Sequence, residues 1–292
     1  SLQKIEEILN EPSGSSLSTD MDNFWNAWSD LSNNPENMGA RSVVRERALT
    51  LTESFHHLAQ QVSDMKENLD SSVGVQIHQI NTYGQQIKDL NDQIKRAEVA
   101  GDNPNDLRDQ RDLLVDELSK IVNVKVVETQ DPAFTDRKVG CYKVIIGNED
   151  SANNVLVNDS MVRQLREPAP RKMIAGYIAA TVVWSDDSSD VDLGSKQGSL
   201  AANIGIRDVD LPQFADQFDQ LAQGIANAVN ALHQIGQGLT AVGSIGIDFF
   251  TNGSSSPSVP PELPKVTAAN ITLNSVIEKD LNKIATGTIS LD

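Results

Sequence analysis

The chain has 292 residues, with 41 Asp plus Glu against 24 Lys plus Arg and a formal charge of −17. That length admits two domains and a sizeable core, while so acidic a surface disfavours nucleic acid and anionic lipid as partners. One cysteine, Cys141, excludes an intrachain disulfide and a cysteine-built metal cage, and no apolar run is long enough to cross a bilayer.

The first residues, Ser1 to Ile8, have neither a start methionine nor the basic-then-apolar layout of a signal peptide. The chain therefore reads as a segment already under way. A first amphipathic helix is expected over 20–31, with Met21, Phe24, Trp25, Trp28 and Leu31 on one face. Thr19 and Asp22 form a capping box at its start, and Asn33-Asn34-Pro35 ends it, because the residue before proline is pushed out of the helical region.

The largest feature runs from about residue 41 to 97. Val44, Leu51, Leu58 and Met65 recur at sevens, and Ala48, Phe55, Val62 and Leu69 fill a second seam. Steps of four at Val73 and Ile77 interrupt the pattern before Ile80, Ile87 and Ile94 resume it, which is a stutter. Unbroken, such a helix would be roughly 85 Å long. Gly74 and Gly84 are the places where it could break.

Gly101-Asp102-Asn103-Pro104 reads as a turn into a fresh helix, with Asn103 as N-cap, Pro104 at the first helical position and Asp106 answering the cap. So short a turn implies an antiparallel helical hairpin. The second helix, 104–121, carries Leu107, Leu114, Leu118 and Ile121 as its buried stripe, and then Val124 to Val127 favours a strand. From 122 to 198 the pattern is strand-sized, with candidate strands at 142–146, 154–157, 162–165 and 173–184 separated by Gly147-Asn148, Asn158-Asp159 and Pro168-Ala169-Pro170.

Helical periodicity returns at Leu211. Leu211, Phe214, Phe218, Leu221, Ile225, Ala228 and Leu232 step alternately by three and four, a full coiled-coil seam whose expected partner is the helix of 41–97. The Ser254 to Pro264 stretch is a loop, and a short strand (270–273) and helix (276–284) follow. The fold class is thus α+β: an elongated antiparallel coiled-coil-like helical bundle, 1–121 plus 199–292, with an inserted small β-rich domain at 122–198.

Each candidate for chemistry has a plainer structural explanation. Asp106, Asp109, Asp112 and Asp116 form a carboxylate column on one helix, but they lie opposite the leucines and alternate with Arg108, Arg111 and Lys120. An acid/base pair needs two carboxyls in different environments, so this column is a wet face. His56, His57, His78 and His233 show no zinc-binding spacing and are placed at the surface or bundle edge. Cys141, in GCYKVIIG, reads as a buried structural thiol. Gly236 to Ala241 matches a dinucleotide fingerprint on paper but follows a helix instead of a strand. Asp186 to Asp192 resembles the start of a calcium loop, yet it lacks the glycine and closing glutamate that an EF-hand needs. No catalytic, cofactor-binding or metal residue is expected, and the chain is read as a non-enzyme that needs no cofactor.

Several stretches, in this order, resemble the family of bacterial flagellar hook-associated proteins 1, the first junction proteins between hook and filament. They are ILNEPSGSSLSTDMDNFWNAWSDLSNNPEN (8–37), ARSVVRERALTLTESF (40–55), the long helix, NPNDLRDQRDLLVDELSKIVNVKVVE (103–128), GSLAANIGIRDVDLPQFADQFDQLAQGIANAVNALH (198–233), DFF (248–250) and AANITLNSVIEKDLNKIA (268–285). The resemblance implies a structural component exported without a cleaved signal peptide to the extracellular flagellum. There it would self-associate in a ring, with hook protein and the second junction protein as partners. The family's terminal segments have no counterpart here, so the chain is read as a fragment. A flagellin-like or second junction protein is a weaker reading, and so is a surface adhesin with a helical stalk and the β-rich insert as head.

Overall fold

The computed structural model describes residues 17–151, 153–168, 172–174, 177–179, 182–194, 198–239, 245–253 and 265–288. The expected leading segment 1–8, most of the proline turn at 168–170 and the loop at 254–264 lie outside the described residues. The fold is α+β, with long helices and small antiparallel sheets. The chain divides into two compact units, Ser1–Met65 with Gln213–Asp292, and Lys66–Pro212.

The first helix, α1, spans Leu17–Asn33, and the long helix, α2, spans Met38–Ala100 without a break at either glycine. Because α1 begins before Thr19, the expected capping box falls inside the helix. The third, α3, spans Asn105–Ile121. Pro104 takes the cap position and no side chain caps it, so Asn103 does not play the expected role.

In the first unit α2 contributes Val44, Ala48, Leu51 and Phe55 to a core completed by α1 and by helix α5 (Leu211–Ile235), with β10 (Phe250–Thr251) and β11 (Thr272–Leu273) packed on it. Phe24, Trp28, Phe249 and Phe250 form an aromatic cluster, with Phe249 and Phe250 edge-on at 4.9 Å and Trp28 at 5.3 Å from Phe249. Asn230 holds the aromatic strand in place of a neighbouring strand. Its Oδ1 accepts from the Phe249 and Phe250 amides at 2.8 and 2.9 Å, and its Nδ2 donates to the Phe250 carbonyl at 2.8 Å.

In the second unit Val73, Ile77, Ile80 and Ile87 of α2 pack with Leu118 and Ile121 of α3 against a four-stranded antiparallel meander. Its strands are β1 (Val124–Gln130), β2 (Gly140–Ile146), β3 (Val155–Asn158) and β4 (Met161–Val162). The expected strand 162–165 is split, because Leu165 turns away to form β5 (Leu165–Arg166) with β8 (Val183–Trp184). There the Asn81 side chain pairs with Leu165 as a strand would, accepting from its amide at 2.7 Å and donating to its carbonyl at 2.9 Å. The expected strand 173–184 is likewise shorter pieces: β6 (Lys172–Ile174) pairs with β7 (Tyr177–Ala179). Gly84 lets this sheet approach, since an added Cβ would meet Val162 at 3.2 Å and Leu156 at 3.3 Å.

The helices build two cores: α5 packs with residues 44–55 of α2, and α3 packs with residues 73–87. The compact units divide within α2, between 65 and 66, and again between 212 and 213. The buried face of α5 is also rotated from the expected seam. Ala222, Ile225, Ala226 and Val229 are buried, whereas Leu221 and Leu232 are 38% and 72% exposed. Helix α4 (Ser199–Gly205) and a π-helical turn, Ile206–Asp210, lead into α5. Beyond it come β9 (Gly236–Gln237), the short helix α6 (Ser275–Lys279), a 3-10 turn (Leu281–Lys283) and β12 (Gly287–Thr288), which pairs with β9.

Candidate functional site

The densest constellation of ionisable groups lies where α2, α3 and the meander meet. Glu98 is buried and accepts from Arg108 through one oxygen and from the Gly140 amide, at 2.8 Å, through the other. Arg111 is 4% exposed, with its guanidinium 3.4 Å from the Tyr142 ring centroid and Nη1 donating to Asn91 Oδ1 at 3.2 Å. One turn back along α2, Lys95 Nζ bridges Asp131 Oδ2 at 2.7 Å and Asp159 Oδ2 at 2.6 Å. All these groups tie the helical hairpin to the sheet.

Their protonation behaviour is that of closed pairs. Hydrogen bonds that Lys95 donates to Asp131 and Asp159 raise the Lys95 pKa, and the same lysine lowers that of Asp131. Burial pushes Tyr142 up to about 12. Burial, then the nearby carboxylates, raise the Cys141 thiol, the opposite of what a nucleophilic cysteine requires. That thiol is half-buried in β2, less enclosed than expected.

Asp131, Cys141 and Asp159 are the one group of ligating side chains gathered closely enough to hold a metal among the described residues, with ligand atoms within 4.8 Å of one another. The Lys95 ammonium already sits between both carboxylates, so a metal would have to displace it. Beside it a hollow of about 290 Å³ is lined by Asp92, Lys95, Arg96 and Val99, all from α2. Walls drawn from one helix cannot enclose a small molecule as ligand sites do.

The remaining sequence candidates are placed as follows. Asp106, Asp109, Asp112 and Asp116 are all exposed on α3. In the acidic 186–192 loop, Arg163 forks onto Asp186 at 2.8 Å and reaches Asp187 at 2.9 Å, while its own guanidinium lies over Trp184. A side-chain hydrogen bond from Arg163 lowers the Asp186 pKa. Of the Gly236 to Ala241 run, 236 and 237 are strand β9 directly after α5, and 240–241 lie outside the described residues.

His56, His57 and His78 are exposed, but His233 is not at an edge. It is 3% exposed, with Nδ1 2.7 Å from the Ile247 carbonyl and Nε2 accepting from the Ala285 amide at 3.0 Å. That pattern places its proton on Nδ1, and burial lowers its pKa. Arg41 was equally hidden from sequence reasoning. Fully buried, it donates to the carbonyls of Pro35, Leu281 and Ile284 and to Thr286 Oγ1, at 2.7 to 3.0 Å. In the π-helical turn Arg207 is also fully buried and faces Asp208 and Asp70 at 2.9 Å. No helix among the described residues is long and apolar enough to cross a membrane.

Residues 2–250 match the family described as the flagellar hook-associated protein FlgK helical domain. The flagellar hook-associated protein 1 of Salmonella typhimurium is 36% identical over 259 residues, covering 87% of this chain and 44% of that relative. The Bacillus subtilis protein of the same name is 29% identical over 272 residues, covering 88% of this chain and 53% of that relative. Among solved structures, the flagellar hook junction protein FlgK from Burkholderia pseudomallei superposes with a TM-score of 0.66 at 26% identity, covering 86% of this chain and 43% of that one. The chain thus spans about half the length of these relatives.

Proposed function

Because the chain belongs to the flagellar hook-associated FlgK family, we propose that it is the helical part of a structural protein joining the flagellar hook to the filament. In this reading it works outside the cell, is exported without a cleaved signal peptide, and assembles as a ring. The hook protein lies on one side of that ring and the second junction protein on the other. It catalyses nothing and carries no cofactor.

The observation that carries the reading is the way the chain uses its ionisable groups. Lys95, Glu98, Arg108 and Arg163 are engaged in pairs that fasten one element to another. Catalytic sites instead hold groups whose pKa values are pushed toward neutrality, and Tyr142, Cys141 and Lys95 are all shifted away from it. A family match spanning residues 2–250 is consistent with a scaffold throughout.

The experiment is deletion of the gene in its own bacterium, with flagella imaged and flagellin measured in the medium. Bare hooks with flagellin lost to the medium support the junction role. Intact filaments with normal swimming would overturn it.

A further inference from the structure

Trp25 belongs to the expected apolar face of α1, but the helix turns it outward. It is 45% exposed, whereas Phe24, Ala27 and Leu31 are buried. Its indole leans on the Phe24 ring, with centroids 5.2 Å apart, which braces one side of it. One helical turn away on the same surface stand half-buried Met21 and Trp28 and exposed Asp22. A braced, exposed tryptophan is the kind of side chain that anchors protein contacts.

Another tryptophan of the chain shows what such a surface receives. Arg163 lies over the Trp184 ring, 4.2 Å from its centroid, and forks onto Asp186, two residues on, with both contacts at 2.8 Å. The indole face attracts the cation and the carboxylate accepts its N–H donors, so one guanidinium answers both groups. Trp25 and Asp22 repeat the combination three residues apart on a helix, where both side chains share a surface. Helix α1 holds Asp20, Asp22 and Asp30 and neither lysine nor arginine. Among the described residues no cation lies over Trp25 and no ion pair reaches Asp22. In a chain of formal charge −17 this surface repels an acidic partner and complements a basic one.

We propose that Trp25 and Asp22 receive an arginine side chain of a neighbouring protein in the flagellar assembly, its guanidinium stacked on the indole and hydrogen-bonded to the carboxylate. Arginine suits this surface better than lysine, because a planar fork can stack and donate two hydrogen bonds at once. Docking leaves the core of the first unit intact, since neither Trp25 nor Asp22 belongs to it. The neighbour's place in the assembly rests on the junction reading; recognition of a guanidinium by these two side chains does not.

The test labels the full chain with fluorotryptophan, which gives one fluorine resonance for each of the three tryptophans, and assigns Trp25 with Trp25→Phe. The probe is N-acetylarginine methylamide, set against its lysine counterpart and its uncharged citrulline isostere. The Trp25 resonance should shift saturably with arginine, with a dissociation constant on the order of tens of millimolar, while the Trp184 resonance stays in place. Asp22→Asn should weaken that binding at least about threefold, and citrulline should give no saturable shift. A Trp25 resonance that ignores arginine, answers lysine or citrulline equally, or is indifferent to Asp22→Asn would overturn the proposal. The second arm returns the parent gene to its deletion strain, unmodified or carrying Trp25→Ala or Asp22→Asn. Both side chains are exposed, so the variant proteins should keep the melting temperature, yet lose flagellin to the medium where the unmodified gene retains it. Variants that swim and retain flagellin as the unmodified gene does would overturn the arginine contact and leave the junction role standing. A deletion without effect strikes the junction role instead, and the fluorine titration then decides the arginine contact alone.

Discussion

In the unit built around Phe24 and Phe249, buried Arg41 and His233 hold backbone groups; in the unit built around Tyr142 and Trp184, buried Arg111 and Arg207 face other side chains. Arg41, Asn230 and His233 each satisfy carbonyls or amides of segments far along the chain. Glu98, Arg108, Arg111 and Arg207 satisfy other side chains, most of them charged. The first arrangement docks segments whose strands pair only in two-stranded sheets. The second locks a meander onto a helical hairpin. The difference teaches that a buried arginine can serve as a hub for backbone in one core and as half of an ion pair in the other.

Substitution of the two arginines separates these roles most strongly. Arg207→Met removes the guanidinium that faces buried Asp208, and breaking a buried pair costs about 3–5 kcal/mol. Arg41→Met strands the buried Ile284 carbonyl, at about 1–3 kcal/mol for an unsatisfied buried acceptor, while the part-buried Leu281 carbonyl can turn to water. Urea denaturation of each variant should show the larger loss for Arg207. A greater loss for Arg41 would mean that backbone docking outweighs the ion pair.

Acid should distinguish the units next. His233 has a folded pKa below its ordinary 6.5, so the unfolded chain binds its proton first and stability falls as pH drops below about 6.5. Asp131 and Asp186, in the second unit, have folded pKa values below 3.8, so their contribution is intact above that value and is lost only as pH falls through the lowered pKa. Melting curves from pH 7.5 to 5 should therefore decline, and His233→Gln should flatten the decline.

The two helix glycines give a smaller contrast. Gly74→Ala enters open space and should stabilise the chain by about 0.5–1 kcal/mol. Gly84→Ala gains the same propensity but meets Val162 and Leu156, so its melting temperature should lie below that of Gly74→Ala. Smallest of all, Asp109→Asn and Asp112→Asn on the exposed column should leave stability within about 0.5 kcal/mol.

Much of this architecture is legible in the sequence where the signal is periodic. The repeating Val44, Leu51, Ile80 and Ile87 positions announce α2 and are buried. Rotation of α5 is harder to read, because Ala222, Ala226 and Val229 are apolar beside Leu221, Ala228 and Leu232, and two overlapping stripes fit one helix. The buried Arg41, Arg207 and His233 leave no local signal, since their partners include residues distant in the chain, such as Ile284, Asp70 and Ala285. The exposure of the aspartate column, by contrast, follows directly from its placement opposite the leucines.

Amide hydrogen exchange at pH 7.5 and 5.5, corrected for intrinsic rates, tests the contrast between the two cores most directly. Protection should fall at Ala285 and around Ile247, where His233 holds the backbone, and persist along 140–146 of the meander. Equal loss in both places, or none at Ala285, would contradict the account.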